Sequence, residues 1–116
     1  MPQIRSPFTD PLARRLGEGV ALMECGAPWC APCRLQRPIV ESVARRHRGR
    51  VRVIPVNVEA EPDLARRLKI RSIPTLVLFA DGREQQRLEG LHPAEAITEA
   101  LEGALAVRSD KAPSNR

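Results

Sequence analysis

No tyrosine occurs in this sequence, and its only aromatic residues are Phe8, Trp29 and Phe79. Surfaces that stack nucleic-acid bases use several exposed aromatics, so the shortage argues against that class of partner. Lysine is nearly absent too: seventeen of the nineteen basic residues are arginine. The net charge is +5, yet Arg108, Lys111 and Arg116 against Asp110 place +2 of it in the last ten residues. The densest run, Arg45-Arg46-His47-Arg48-Gly49-Arg50-Val51-Arg52, surrounds an expected helix end, where the helix dipole favours cations. The positive surplus therefore reads as solvated caps and tail, and no nucleic acid is expected as partner. Long hydrophobic runs are missing as well. The longest, Leu76 to Ala80 preceded by Ile73-Pro74-Thr75, is far short of the ~20 residues that cross a bilayer, so no membrane partner is expected. Met1 to Arg15 carries Arg5, Asp10, Arg14 and Arg15 without the apolar stretch of a secretory signal, so the expected location is cytoplasmic. Only three cysteines are present, and they are clustered, which excludes a disulfide framework spread along the chain.

What is present is an ordinary globular composition, 42% hydrophobic and 28% charged over 116 residues, which suits one domain with a buried core. Residues 1–9 read as an extended lead-in with a short edge strand near Ile4. Thr9-Asp10-Pro11 has the pattern of a helix start, with Leu12 and Leu16 as its apolar stripe and Gly17 and Gly19 as its end. The run Val20 to Met23, continued by Glu24 and Cys25, predicts a central strand buried on both faces. A helix is expected from about Cys30 to His47, with Leu35, Ile39 and Val43 turned inward. A strand at Val51 to Val58 and a helix at Glu61 to Leu68 follow. Thr75 to Ala80 and Glu84 to Glu89 then form a hairpin about Asp81-Gly82, and a last helix spans Pro93 to Leu105. This order is a βαβ half joined to a ββα half, an α/β fold with a central mixed sheet of four or five strands flanked by helices on both faces. Residues 1–106 form the single domain and 107–116 a flexible basic tail, and a monomer is expected.

Trp29-Cys30-Ala31-Pro32-Cys33 lies where a strand loops into a helix, the setting of a redox Cys-x-x-Cys. Cys30 falls at the helix N-terminus, where unpaired N–H groups and the dipole stabilise a thiolate, so it is the expected nucleophile. Cys33, one turn deeper on the same face and further from solvent, is the expected resolving thiol. Pro32 fits the first helical turn, where its missing N–H has no helical partner, and Ala31 keeps the intervening pair apolar. Metal binding is the rival reading. Cys25, Cys30 and Cys33 match part of an iron–sulfur spacing, but a fourth cysteine is absent, Cys25 belongs to a buried strand, and His47 stands at the far end of the helix. No metal is therefore assigned. Glu24, the only charge in its strand, reads in two ways. Burial would raise its pKa and suit it to accept a proton near neutral pH, or it could be an ordinary carboxylate paired with an arginine.

Four separated features resemble the thioredoxin family over about residues 18–106. Trp29-Cys30-Ala31-Pro32-Cys33 is similar to the family's Trp-Cys-Gly-Pro-Cys, Pro38 to its kink proline, Ile73-Pro74-Thr75 to its cis-proline tripeptide, and Gly90 to the glycine beside its substrate groove. The resemblance implies a thioredoxin fold and a protein-disulfide reductase that needs no cofactor of its own, takes disulfide-containing client proteins, and is regenerated by a thioredoxin reductase. It makes Cys30, Cys33 and Glu24 catalytic, the last as general base in place of the family's buried Asp. It makes Trp29, Ile73, Pro74 and Gly90 substrate-binding, with Ala31, Pro32 and Pro38 supporting the site. A cis bond before Pro74 would leave the Ile73 backbone groups free to pair with a substrate strand, whereas a trans proline would merely start the next strand. The sequence departs from the family at Glu24, one methylene longer than Asp, and at Pro55, where many members have a lysine. Arg34 stands where the family often has lysine. Cys25 and Gly26 replace two aromatics, which removes volume behind the site. The competing class is a non-enzymatic client-binding or co-chaperone module of the same fold, against which the presence of both cysteines speaks.

Overall fold

The structure, a computed structural model, describes residues 10–111, with side chains to Arg108. The edge strand expected near Ile4 and residues 112–116 lie outside the described residues. Four strands, β1 (Val20–Gly26), β2 (Val51–Asn57), β3 (Thr75–Ala80) and β4 (Arg83–Glu89), form one sheet in the order β2-β1-β3-β4. β1 runs parallel to β2 and antiparallel to β3, and β4 is antiparallel to β3. The two central strands are the apolar ones; every residue of β3 is buried, as a strand covered on both faces requires. Among the described residues β2 lies at the edge of the sheet, a setting in which a strand tolerates a proline such as Pro55. The hairpin closes at Asp81 (φ 51°) and Gly82 (φ 84°), the left-handed pair of a two-residue turn matched to strand twist.

Side-chain alternation along β1 divides the core. Val20 and Leu22 pack with Val40 and Val43 of α2 (Ala31–Arg46) and with Ile97 and Leu101 of α4 (Ala94–Lys111). Ala21, Met23 and Cys25 pack on the other face, with Leu16 of α1 (Pro11–Leu16) and with Leu64 and Leu68 around α3 (Pro62–Arg67). Asp10 caps α1 by accepting the Leu12 N–H at 3.1 Å, and Arg67 binds both Asp10 carboxylate oxygens, at 2.5 and 2.6 Å, tying α1 to the end of α3. The Arg52 guanidinium donates to the carbonyls of Arg15, Leu16 and Glu18, which satisfies the C-terminal end of α1.

Two expectations are corrected. Leu35 is not inward but 61% exposed, and the inward face of α2 carries Cys33, Gln36, Val40 and Val43. Two residues beyond Cys33, Leu35 stands about 200° round the helix, on its opposite side. The last helix does not stop at Leu105 but continues to Lys111, so residues 107–111 of the expected tail are helical. Between Leu105 and Pro113 the sequence offers no proline or glycine to end it.

Candidate active site

The C-terminal end of β1 delivers the chain through Ala27, Pro28 and Trp29 to the start of α2. Cys30 is the N-cap, with extended backbone, and its Sγ accepts the N–H of Cys33 at 3.2 Å. Cys30 and Cys33 form a disulfide with their Cα atoms 5.2 Å apart, inside the usual range for such a bond. Ala31 and Pro32 fill the first helical turn and are exposed, and Pro38 lies inside α2, exposed on its outer side. The Ile73–Pro74 bond is cis. Pro74 is buried, its carbonyl accepts the Gly90 N–H at 2.8 Å, and neither backbone group of Ile73 has a hydrogen-bond partner among the described residues. Trp29 is 64% exposed, and its indole N–H donates to Glu59 in the turn after β2, at 2.5 Å.

Behind the disulfide lies a cavity of about 520 Å³, lined among others by Glu24, Gly26, Cys33, Arg37, Pro55 and Glu61. Cys25 and Gly26 at the end of β1 both line it. A Cβ on Gly26 would stand 2.9 Å from the Cys33 Sγ, so only glycine lets the strand approach the sulfur this closely. The expected difference in burial between the two cysteines is absent: Cys30 is 4% exposed and Cys33 7%. The cavity explains why, since it opens the rear of Cys33. Glu24 lies directly across from Pro55 in the β1–β2 register, and its carboxylate has no hydrogen-bond partner among the described residues. Burial pushes its carboxyl above the usual range, while the Arg37 guanidinium pulls it back down and Glu41 adds to the rise. A cation thus reaches Glu24 from α2 and not from β2. Cys25 packs on the far side of β1 from the disulfide, and burial pushes its thiol up to about 12. Among the described residues, no three His, Cys, Asp or Glu side chains gather as a metal set.

The thioredoxin family profile matches residues 5–103. The chain is a member of the thioredoxin family. It is 37% identical to thioredoxin 1 of Nostoc sp. over 81 residues, covering 70% of this chain and 76% of that one. It is 32% identical to Staphylococcus aureus thioredoxin over 88 residues, covering 76% and 85%. Among solved structures, chloroplastic thioredoxin z superposes with a TM-score of 0.71 at 34% identity, covering 82% of this chain and 84% of that one. A mutant thioredoxin from Halobacterium salinarum gives 0.70 at 33%, covering 76% of each. The protein is accordingly a thioredoxin-like dithiol–disulfide oxidoreductase with Cys30–Cys33 as its redox-active disulfide. No helix among the described residues is long and apolar enough to cross a membrane.

Three residues of the site escape a reading of the sequence. Glu59 has no local signal. Arg37 was legible in principle, because i+4 from Cys33 on a helix is the same face. Gln36, fully buried beside the site, looks like a surface residue in sequence and becomes inward only through its partners.

Proposed function

We propose that the protein reduces disulfides in client proteins. The Cys30 thiolate attacks a client disulfide, forming a Cys30–client bond and expelling one client thiolate. Cys33 then attacks the Cys30 sulfur, forming Cys30–Cys33 and releasing the second client thiol, so two electrons pass from the protein to the client. Glu24 accepts the Cys33 proton, directly or through a water in the cavity. Trp29, Ile73, Pro74 and Gly90 form the client groove, where the unpaired Ile73 backbone groups suit strand addition, which gives affinity with little sequence preference. Ala31, Pro32 and Pro38 shape the start of α2 that carries the pair.

The observation that carries this reading is the position of Cys30 as the α2 N-cap, its Sγ receiving a backbone N–H. That donor and the helix dipole stabilise a thiolate at Cys30 once the disulfide is opened. Regeneration requires an external reductant, for which the family points to a thioredoxin reductase. A monomeric single domain, a cytoplasmic location, and a role in electron transport and cell redox homeostasis complete the proposal. Insulin reduction with and without a thioredoxin reductase tests it. Cys33→Ser should accumulate a mixed disulfide detectable by mass spectrometry, and Cys30→Ser should abolish reduction. Absence of the adduct, or slower alkylation of Cys30 than of Cys33 near pH 7, would reverse the assigned roles.

A further inference from the structure

Gln36 is the least expected residue of the core. It is fully buried on the inward face of α2, one turn beyond Cys33, at a position an aliphatic residue would fill without any polar demand. A buried amide is tolerated only when its donors and acceptor are matched. Here both ends of the amide go to one residue of the loop after β4: Nε2 donates to the His92 carbonyl at 3.0 Å, and Oε1 accepts the His92 N–H at 2.8 Å. The side chain thus pairs with the backbone as a neighbouring strand would. No buried polar side-chain atom among the described residues is left unmatched.

The contact continues outward. Nδ1 of His92 lies 3.0 Å from the Gly90 carbonyl oxygen, and the Gly90 N–H donates to the Pro74 carbonyl at 2.8 Å. One line of hydrogen bonds therefore joins the helix that carries the disulfide to the loop at Gly90 and to the cis-proline segment. Among the described residues, the large exposed hydrophobics are Trp29, Leu35 and Leu91. Trp29 precedes Cys30, Leu35 precedes Gln36, and Leu91 stands between Gly90 and His92.

We propose that Gln36 is a positioning residue for protein clients: its paired hydrogen bonds to His92 hold the Gly90–His92 loop, and with it Leu91, at a fixed place beside the Cys30–Cys33 bond. The proposal rests on the reading of Pro74 and Gly90 as walls of the client groove. A protein client presents chain on both sides of its disulfide and meets this loop, whereas a small disulfide needs only the Cys30 sulfur. Supporting groups of this kind act by pre-organising the contacts that substrate makes.

The test compares the pre-reduced full chain with its Gln36→Met and Leu91→Ser variants by stopped flow, against insulin and against a small aromatic disulfide. Methionine keeps the volume and apolar fit but removes both hydrogen bonds, and Leu91→Ser alters an exposed side chain that folding does not need. For each variant the expected result is a roughly tenfold rise in the half-saturating insulin concentration, with the limiting rate and the small-disulfide rate constant within about twofold of wild type. Amide exchange at His92 should accelerate in Gln36→Met while amides along α2 keep their protection. A parallel loss toward both substrates, or no change toward insulin in a folded Gln36→Met, overturns the positioning role. If Gln36→Met does not fold, Leu91→Ser decides: an unchanged insulin half-saturation overturns the proposal, a selective rise supports it. Failure of the wild-type protein to reduce either disulfide would instead remove the proposed function, a distinct result.

Discussion

Glu24 continues the face of β1 that carries Val20 and Leu22, so its carboxylate points toward α2 and the rear of Cys33, where both line the same cavity. Burial raises its pKa and Arg37 opposes the rise, leaving a carboxyl that holds its proton more readily than a solvated one. If Glu24 takes up the Cys33 proton, Glu24→Gln slows the second step, release of the client from Cys30, by about 10²- to 10⁴-fold at pH 7 while leaving the first attack nearly unchanged. Single-turnover kinetics on the two steps check this. Equal slowing of both would make Glu24 a structural carboxylate. The stability effect runs the other way. A carboxyl whose pKa is raised in the folded state costs nothing below its ordinary value of 4.5 and destabilises as pH rises through the folded value. Glu24→Gln should therefore raise the unfolding midpoint at neutral pH and have little effect near pH 4.

At the scale of single elements, α1 shows how a six-residue helix, too short to persist alone, is held in place. Leu16 supplies its apolar anchor, Asp10 caps its first turn, Arg67 reaches over from α3, and Arg52 from β2 closes its end. The hydrogen bond from Arg67 holds the Asp10 carboxyl down at about 2, against 3.8 in its ordinary state. A lowered folded pKa contributes stability above the unfolded value that is lost as pH falls from about 4 toward 2. Asp10→Ala removes cap and pair together and should cost about 1–3 kcal/mol at pH 7 by denaturant unfolding, discounted because Arg67 is partly solvated. Asp10→Asn keeps a capping oxygen and should cost less. The cost of each variant relative to wild type should shrink as pH falls from about 4 toward 2, where the charge contribution of Asp10 is lost, while the difference between the two variants, which reflects the uncharged capping oxygen, should persist.

Taken whole, the molecule stands on one mixed sheet between two helical layers, and α4 closes the larger core. Leu101 is fully buried there among Leu22, Val40, Leu76 and Ile97. Leu101→Ala should cost about 3 kcal/mol and lower Tm by roughly 10–20 °C, measured by calorimetry, through lost apolar burial and the cavity left behind. Because Leu101 lies away from the disulfide, the rate of the first thiol attack in the folded variant should remain near that of wild type. A large rate loss at temperatures where the variant stays folded would show that the α4 core also shapes the site.

Local physics made most of the fold legible in the sequence. Continuous apolar runs marked β1 and β3, Asp81-Gly82 marked a turn that needs two left-handed residues, and a cysteine at a strand-to-helix junction marked the N-cap thiol. Each of these depends on neighbours within a few positions. What the sequence left open depends on residues distant along the chain. Leu35 lies outside against expectation and Gln36 inside because the direction of α2 against the sheet, and a backbone partner at His92 fifty-six positions away, decide which side is inside. The cation facing Glu24 came from α2, the acceptor of the Trp29 indole from the turn after β2, and the wall of Cys33 from the missing Cβ of Gly26. Periodicity reports an element's own geometry, but hydrogen bonds, Coulomb forces and steric contact act through space, so only the packed sheet and helices could decide those partners.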